Sequence, residues 1–202
     1  MRNFIKGTLT ASAFVFLMQA QAANAVVVVL GNGLANDCYE AALAISKGLP
    51  APSMTVTGSI IDVAPVKLCT LALDADTIGG RDLAGTYVNR GVINFMDKNY
   101  EAALKDFDLA VGVDDTIGEA HANRGAALVA LKRWADSIKA IDKGLELGTD
   151  EMAKSYYNRA IAYEETGNVR NAYYDYMKAA ELVPAWEAPK AQLLRFSVKK
   201  RT

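Results

Sequence analysis

One histidine and two cysteines in 202 residues leave this chain poor in the side chains that hold transition metals and relay protons. A usual zinc site takes four Cys, His or carboxylate ligands, and His121 with Cys38 and Cys69 does not furnish one. Nothing like Cys-x-x-Cys supports redox work. No block of like charge has nucleic-acid length; Lys199-Lys200-Arg201 is better suited to complement the C-terminal end of a last helix. Gly31-Asn32-Gly33 lacks the rest of a phosphate-binding loop. The pair Glu164-Glu165 suggests acid-base or metal chemistry, but neighbours on a helix diverge by about 100 degrees, and a solvated face is expected. No catalytic residue, metal or cofactor is therefore expected, and the chain reads as no enzyme.

What the chain does have is a phrase that returns. Asn89-Arg90-Gly91, Asn123-Arg124-Gly125 and Asn158-Arg159-Ala160 follow one another at intervals of 34 and 35 residues. Such a period marks helical repeats, each of which buries its apolar face only by stacking on a neighbour. Aligned as windows 84–117, 118–151 and 153–186, with Met152 inserted, the repeats agree well beyond the anchor. The fourth place holds Tyr87, His121 and Tyr156; the eighth holds Gly91, Gly125 and Ala160, where a small residue lets two helices approach closely. Ala103, Ser137 and Ala172 fill the twentieth place, and Phe107, Ile141 and Tyr176 the twenty-fourth. With Ala110, Gly144 and Ala179 at the twenty-seventh, small and large residues alternate along a packed seam. In the aromatic slot, His121 reads as a packed structural residue.

This pattern resembles the tetratricopeptide repeat. The resemblance covers about half the chain and departs from the family where Asp115 and Thr149 stand in place of a closing Pro, and at His121 and Gly144. It implies an all-α, right-handed solenoid of three helix hairpins with a concave groove. It also implies which first-helix places line that groove: Val88, Asn89, Val92 and Phe95, then Ala122, Asn123 and Ala126, then Tyr157, Asn158 and Ile161, with Glu164 and Lys154 among their neighbours. The lining is mostly apolar. Members that grip a terminal carboxylate use several basic groove residues, and Lys154 stands alone here. The Asn ladder has two readings: its amides bind the backbone of an extended segment, or they hold neighbouring repeats in register. Arg at the seventh place is expected to find acid on the second helix, Arg90 with Asp106 and Arg159 with Asp175. Arg124 faces Ala140 and must look elsewhere, with Asp142 as the candidate; the alternative is that all three snorkel to solvent.

Residues 1–25 carry Arg2 and Lys6, an apolar run and then Ala23-Asn24-Ala25, the pattern of a signal peptide cleaved after Ala25. The run 9–18 is shorter than the roughly 20 residues of a membrane span. A periplasmic or secreted protein is expected, with no membrane insertion once the leader is gone. Removing Arg2 and Lys6 leaves 20 basic against 23 acidic residues, which disfavours nucleic acid.

Residues 26–83 read as an N-terminal segment with a degenerate hairpin. The apolar, β-branched run from Val26 to Leu30 favours an extended segment that needs cover, in its own groove or in that of a second molecule. A helix capped by Asn36 or Asp37 should stop at Gly48, residues 49–59 should form a loop, and a second helix should start near Ile61 or Pro65 and run to Asp74. In an exported chain Cys38 and Cys69 read first as a disulfide joining the two helices, against free buried thiols or a redox pair. Residues 186–202 should form a capping helix and tail, with Ala188, Ala191, Leu194 and Val198 inward, Lys190, Arg195 and Lys199 in water, and Trp186 in the core. The expected function is that of a protein- or peptide-binding scaffold; a structural or self-associating module of the cell envelope is the alternative, so another protein, an extended peptide or a second copy is the expected partner.

Overall fold

The computed structural model describes residues 4–7, 33–51, 54–56, 59–61, 63–75 and 77–199, and in it the repeat becomes three antiparallel helix hairpins. These are α3 (Gly80–Met96) with α4 (Tyr100–Val113), α5 (Gly118–Ala130) with α6 (Trp134–Leu147), and α7 (Met152–Glu165) with α8 (Val169–Leu182). The first helices touch one another along the stack, α3 with α5 and α5 with α7, while α4 packs on α5 and α6 on α7. The turn inside each hairpin is repeated as faithfully as the helices. Lys98, Lys132 and Gly167 hold the same place with φ of 64°, 59° and 77°. After each, the next N–H reaches back five residues, from Asn99 to the Asn94 carbonyl, Arg133 to Leu128 and Asn168 to Tyr163, at 2.7 to 2.8 Å. This left-handed cap satisfies the last carbonyls of the first helix.

The small residues of the eighth and twenty-seventh places act as expected. A Cβ on Gly91 would stand 2.5 Å from the Phe107 ring, and one on Gly125 would collide with Ile141. Gly144 lies against backbone, the Ala122 nitrogen at 2.8 Å from where its Cβ would be, so α5 and α6 meet main chain to main chain. His121 is buried in its slot, its Nε2 3.0 Å from the Asp115 carbonyl oxygen, a bond inside the turn where the family has Pro.

Before the repeats, α1 (Gly33–Ser46) and α2 (Pro65–Asp74) form the irregular hairpin, closed by the Cys38–Cys69 disulfide and packed on α3. Cys38, Ala42 and Cys69 share a cluster with Ile93. Three differences from expectation appear. First, α1 starts at Gly33, a turn ahead of Asn36 and Asp37, because Leu34 and Ala35 pack with Ala72 and Ile78 and draw that turn into the helix. Second, the connection contains an antiparallel ribbon, β2 (Met54–Val56) with β3 (Ser59–Ile61), where a plain loop was expected.

Third, the capping helix is short. α9 (Glu187–Leu193) is seven residues long, and β4 (Phe196–Lys199) follows in antiparallel register with β1 (Phe4–Gly7), Phe4 opposite Lys199. Phe196 stacks on Tyr173 and Tyr176 at 5.6 and 6.0 Å, and that aromatic burial holds the chain extended where helical periodicity would have continued. Pro189 and Gln192 are the inward residues of α9, while Leu194 is 88% exposed. Trp186 is half-buried against Tyr157 at 4.9 Å. The solenoid is all-α; the ribbons lie outside its three hairpins. The run from Val26 to Leu30 and the expected cleavage point at Ala25 lie outside the described residues.

Candidate functional site

At about 100° per residue, the sixth place of each first helix points some 160° away from the eighth, which faces the second helix. Asn89, Asn123 and Asn158 therefore sit on the side of α3, α5 and α7 turned from their own hairpin partners, one per repeat. Val92, Ala126 and Ile161 lie one residue-turn from that contact, and Val88, Phe95, Ala122 and Tyr157 lie between the two faces. All ten are buried, none more than 7% exposed. Each of the three amides makes a polar contact. An amide buried in this way must be satisfied, and it both donates and accepts.

The register of this row is set by guanidinium groups one place further along. Arg90 donates to Asp106 at 2.7 to 3.2 Å, and Arg159 to Asp175 at 2.7 and 2.9 Å, so both expected pairs form within their hairpins. Arg124 does not reach Asp142. It turns back to Asp108 of the preceding repeat at 2.5 Å, and Asp142 is taken by Arg159 at the same distance. Arg90 likewise reaches back to the Thr70 hydroxyl on α2 at 3.3 Å. Each Arg thus bonds across the junction with the element before it, because stacking offsets successive hairpins and brings the preceding second helix alongside. Arg159 also lies over the Tyr156 and Tyr163 rings at 5.3 and 5.6 Å. Burial works against its charge, but Asp175 and Asp142 outweigh it and hold the guanidinium firmly protonated. Burial raises the Asp175 carboxyl against the pull of Arg159. With two carboxylates sharing one guanidinium, the cation is the better compensated partner.

A second cluster closes the far end of the row, and sequence reasoning missed it. Glu164 is buried, not solvated, and Arg195 points inward to it with Nη2 at 2.5 Å and Nη1 at 3.3 Å; Glu165 next door is exposed. Tyr176 donates to the same carboxylate at 3.2 Å, and Arg195 also donates to Gln192. Burial pushes the Tyr176 phenol well above its ordinary value, and the Glu164 charge adds to it. Tyr157 is raised by burial against a hydrogen bond with Gln192. The missing signal was the break in α9: only once the chain turns at Leu194 does Arg195 face Glu164. Lys154, the groove cation, pairs with Glu151 at 3.3 Å. Among the described residues no group of three or more His, Cys, Asp or Glu side chains is placed to hold a metal ion, and no helix is long and apolar enough to cross a membrane.

No family model matches the chain. It is 32% identical over 94 residues to a DnaJ homolog subfamily C member 7 homolog of Dictyostelium discoideum, a match covering 45% of this chain and 17% of that protein. A Protein STIP1 homolog of the same organism is 32% identical over 89 residues, 44% of this chain and 16% of that one. The chain thus spans about a sixth of the length of these curated relatives. Among solved structures, MamA superposes with a TM-score of 0.57 at 20% identity, over 65% of this chain and 74% of that one. The Arabidopsis OM64 TPR domain gives 0.55 at 21%, over 58% and 96%. The first TPR of Spaghetti (RPAP3), bound to the HSP90 peptide SRMEEVD, gives 0.54 at 20%, over 58% and 92%. These likenesses show the fold, and the repeating phrase fits it place by place. By its fold, the chain is a helical-repeat solenoid of the kind found in tetratricopeptide-repeat domains.

Proposed function

We propose that this chain is an exported scaffold that binds another protein through an extended peptide laid along the inner face of α3, α5 and α7. The observation that carries this reading is the row of Asn89, Asn123 and Asn158, one amide per repeat among apolar neighbours. Amides spaced by the repeat suit peptide N–H and C=O groups without demanding a particular side chain, while Val92, Ala126 and Ile161 suit apolar ones. The peptide in the solved Spaghetti repeat domain supports a peptide as the kind of ligand this fold takes. A grip on a terminal carboxylate is not proposed, since Lys154 is already paired with Glu151. Export rests on the leader-like residues 1–25, whose removal takes β1 away from β4 and leaves Val26 as the mature N-terminus, with the periplasm or the cell exterior as its place.

Asn123→Ala tests the reading, with residues 26–202 used to capture partners from envelope extract. If the amide grips a ligand, capture by the folded variant, measured well below its melting temperature, falls by about five- to tenfold, the share of one lost hydrogen bond. A fall in melting temperature with unchanged capture refutes it. Concentration-dependent oligomers with no partner captured would favour a self-associating module.

A further inference from the structure

We propose that a pocket between the first turn of α7 and the turn after α8 anchors one bulky apolar side chain of the bound peptide, a Leu, Met or Phe flanked by a basic residue. This rests on the reading of the chain as a peptide binder and names what that peptide must carry. Glu151, Ala153 and Lys154 form one wall, and Val183, Ala185 and Trp186 the other, around about 420 Å³. That volume lies within the range of roughly 300 to 1,000 Å³ that ligand pockets occupy. The half-buried Trp186 ring stands 4.9 Å from Tyr157, so the pocket adjoins the inner face at the third repeat.

The repeats show why the space is there. In the second repeat the side chain at the second place crosses to the closing turn, where Glu119 accepts from the Asp150 N–H at 3.3 Å. In the third, the same two places hold Lys154 and Ala185, and both border the pocket. Lys154 turns instead to Glu151, 3.3 Å away, and the gap that Glu119 bridges is left open. The composition of the turn changes with it: Asp114-Asp115-Thr116-Ile117 and Gly148-Thr149-Asp150-Glu151 give way to Val183-Pro184-Ala185-Trp186. Pro184 fixes the second position of that turn, and the Trp186 N–H closes it on the Val183 carbonyl at 2.9 Å, so the apolar wall is formed before any ligand arrives. Val183 is exposed, as are Leu182 before it and Met152, between Glu151 and Ala153. Large apolar residues exposed together beside a pocket mark a contact surface, unlike the single scattered ones of an ordinary protein surface. Charge selects the flanking residue. Lys154 is paired with Glu151 and Lys190 with Glu187, while the exposed Asp150 adds a further carboxylate next to Glu151, so a basic neighbour complements the rim.

The test titrates acetyl-Ala-Leu-Lys-amide into the full chain, with acetyl-Ala-Ser-Lys-amide and acetyl-Ala-Leu-Glu-amide as comparisons. The readout is the indole N–H resonance of Trp186, and Trp134, the other tryptophan, is the internal control. The Leu-Lys peptide should shift Trp186 saturably and leave Trp134 unmoved. It should bind at least about tenfold more tightly than the Ser peptide, the worth of one buried apolar side chain, and more tightly than the Leu-Glu peptide. Lys154→Glu rebuilds the bridge of the second repeat, and Ala185→Leu fills the space; in either variant, shown to be folded by circular dichroism, the Trp186 shift should be lost. Added negative charge by itself strengthens binding of a basic peptide, so a loss in Lys154→Glu reports closure of the pocket. No saturable shift at Trp186, equal binding of the Leu-Lys peptide and either comparison, or unchanged binding in the folded variants overturns the proposal. The two readings fail separately. If Asn123→Ala leaves partner capture unchanged while the Leu-Lys peptide still shifts Trp186, the asparagine row is refuted and the pocket stands. If Asn123→Ala reduces capture while no peptide reaches Trp186, the pocket is refuted and the row stands.

Discussion

Removing the Arg159 side chain tests whether its buried charge holds the second and third repeats together. Arg159→Met keeps the stem's packing and deletes two bonds to Asp175 and one to Asp142. The two carboxylates differ in environment: Asp175 is 9% exposed and Asp142 half-exposed. Leaving a buried carboxylate unpaired costs about 3 to 5 kcal/mol, and an exposed pair is worth about 0.2 to 1 kcal/mol. The Asp175 carboxyl, already raised by burial, can escape part of that cost by taking a proton, which puts the expected loss near the lower bound, about 3 kcal/mol. That loss corresponds to a fall in melting temperature of roughly 6 to 12 °C for a chain of this size. Asp142→Asn should cost less than about 1 kcal/mol. Adding Asp175→Leu to Arg159→Met should recover most of the loss, since the stranded charge goes with it. Urea unfolding followed by circular dichroism at neutral pH gives all four free energies. Because the folded-state pKa of Asp175 lies above its unfolded value, the Arg159→Met penalty should shrink as pH falls. A cost below about 1 kcal/mol for Arg159→Met, or no recovery in the double variant, would refute the assignment.

Three further outcomes are expected. Gly144→Ala should destabilise more than Gly91→Ala, the first by about 2 to 3 kcal/mol, because its new methyl meets Ala122 backbone, whereas the Phe107 ring beside Gly91 can yield; thermal melts showing the reverse order would contradict the main-chain contact. Reducing Cys38–Cys69 should lower stability by about 3 to 4 kcal/mol, from closure of a loop with a sequence separation of 31, and equal urea midpoints with and without reductant would exclude that contribution. The phenols of Tyr157, Tyr163 and Tyr176 are all raised by burial, so their stabilising share is complete below the ordinary value of 10.0 and is lost as pH climbs through the folded values. Urea midpoints should therefore fall from about pH 10 upward, and Tyr176→Phe should flatten that fall; an unchanged slope would mean that Tyr176 ionises as freely folded as unfolded.

The sequence by itself determined the repeats, because a hairpin's internal contacts recur at a fixed separation in the chain. Gly91 under Phe107, Gly125 under Ile141, and the pairs Arg90–Asp106 and Arg159–Asp175 are all written at constant intervals of 16 residues. The two cysteines, legible as the staple of an irregular hairpin, depend on one local approach of α1 to α2. What crosses from one hairpin to the next was not legible. Arg124 turning back to Asp108, and Arg159 shared between Asp142 and Asp175, follow from the offset at which hairpins stack, and no spacing within a repeat encodes that offset. The end of the stack escaped for a related reason. Helical periodicity carried the last helix through Leu194 and Val198 and sent Arg195 to water, but the half-buried Tyr173 and buried Tyr176 of α8 captured Phe196 and turned the chain. That turn alone buried Glu164 beneath Arg195, because burial of a charge is decided by which partner the assembled fold brings to it.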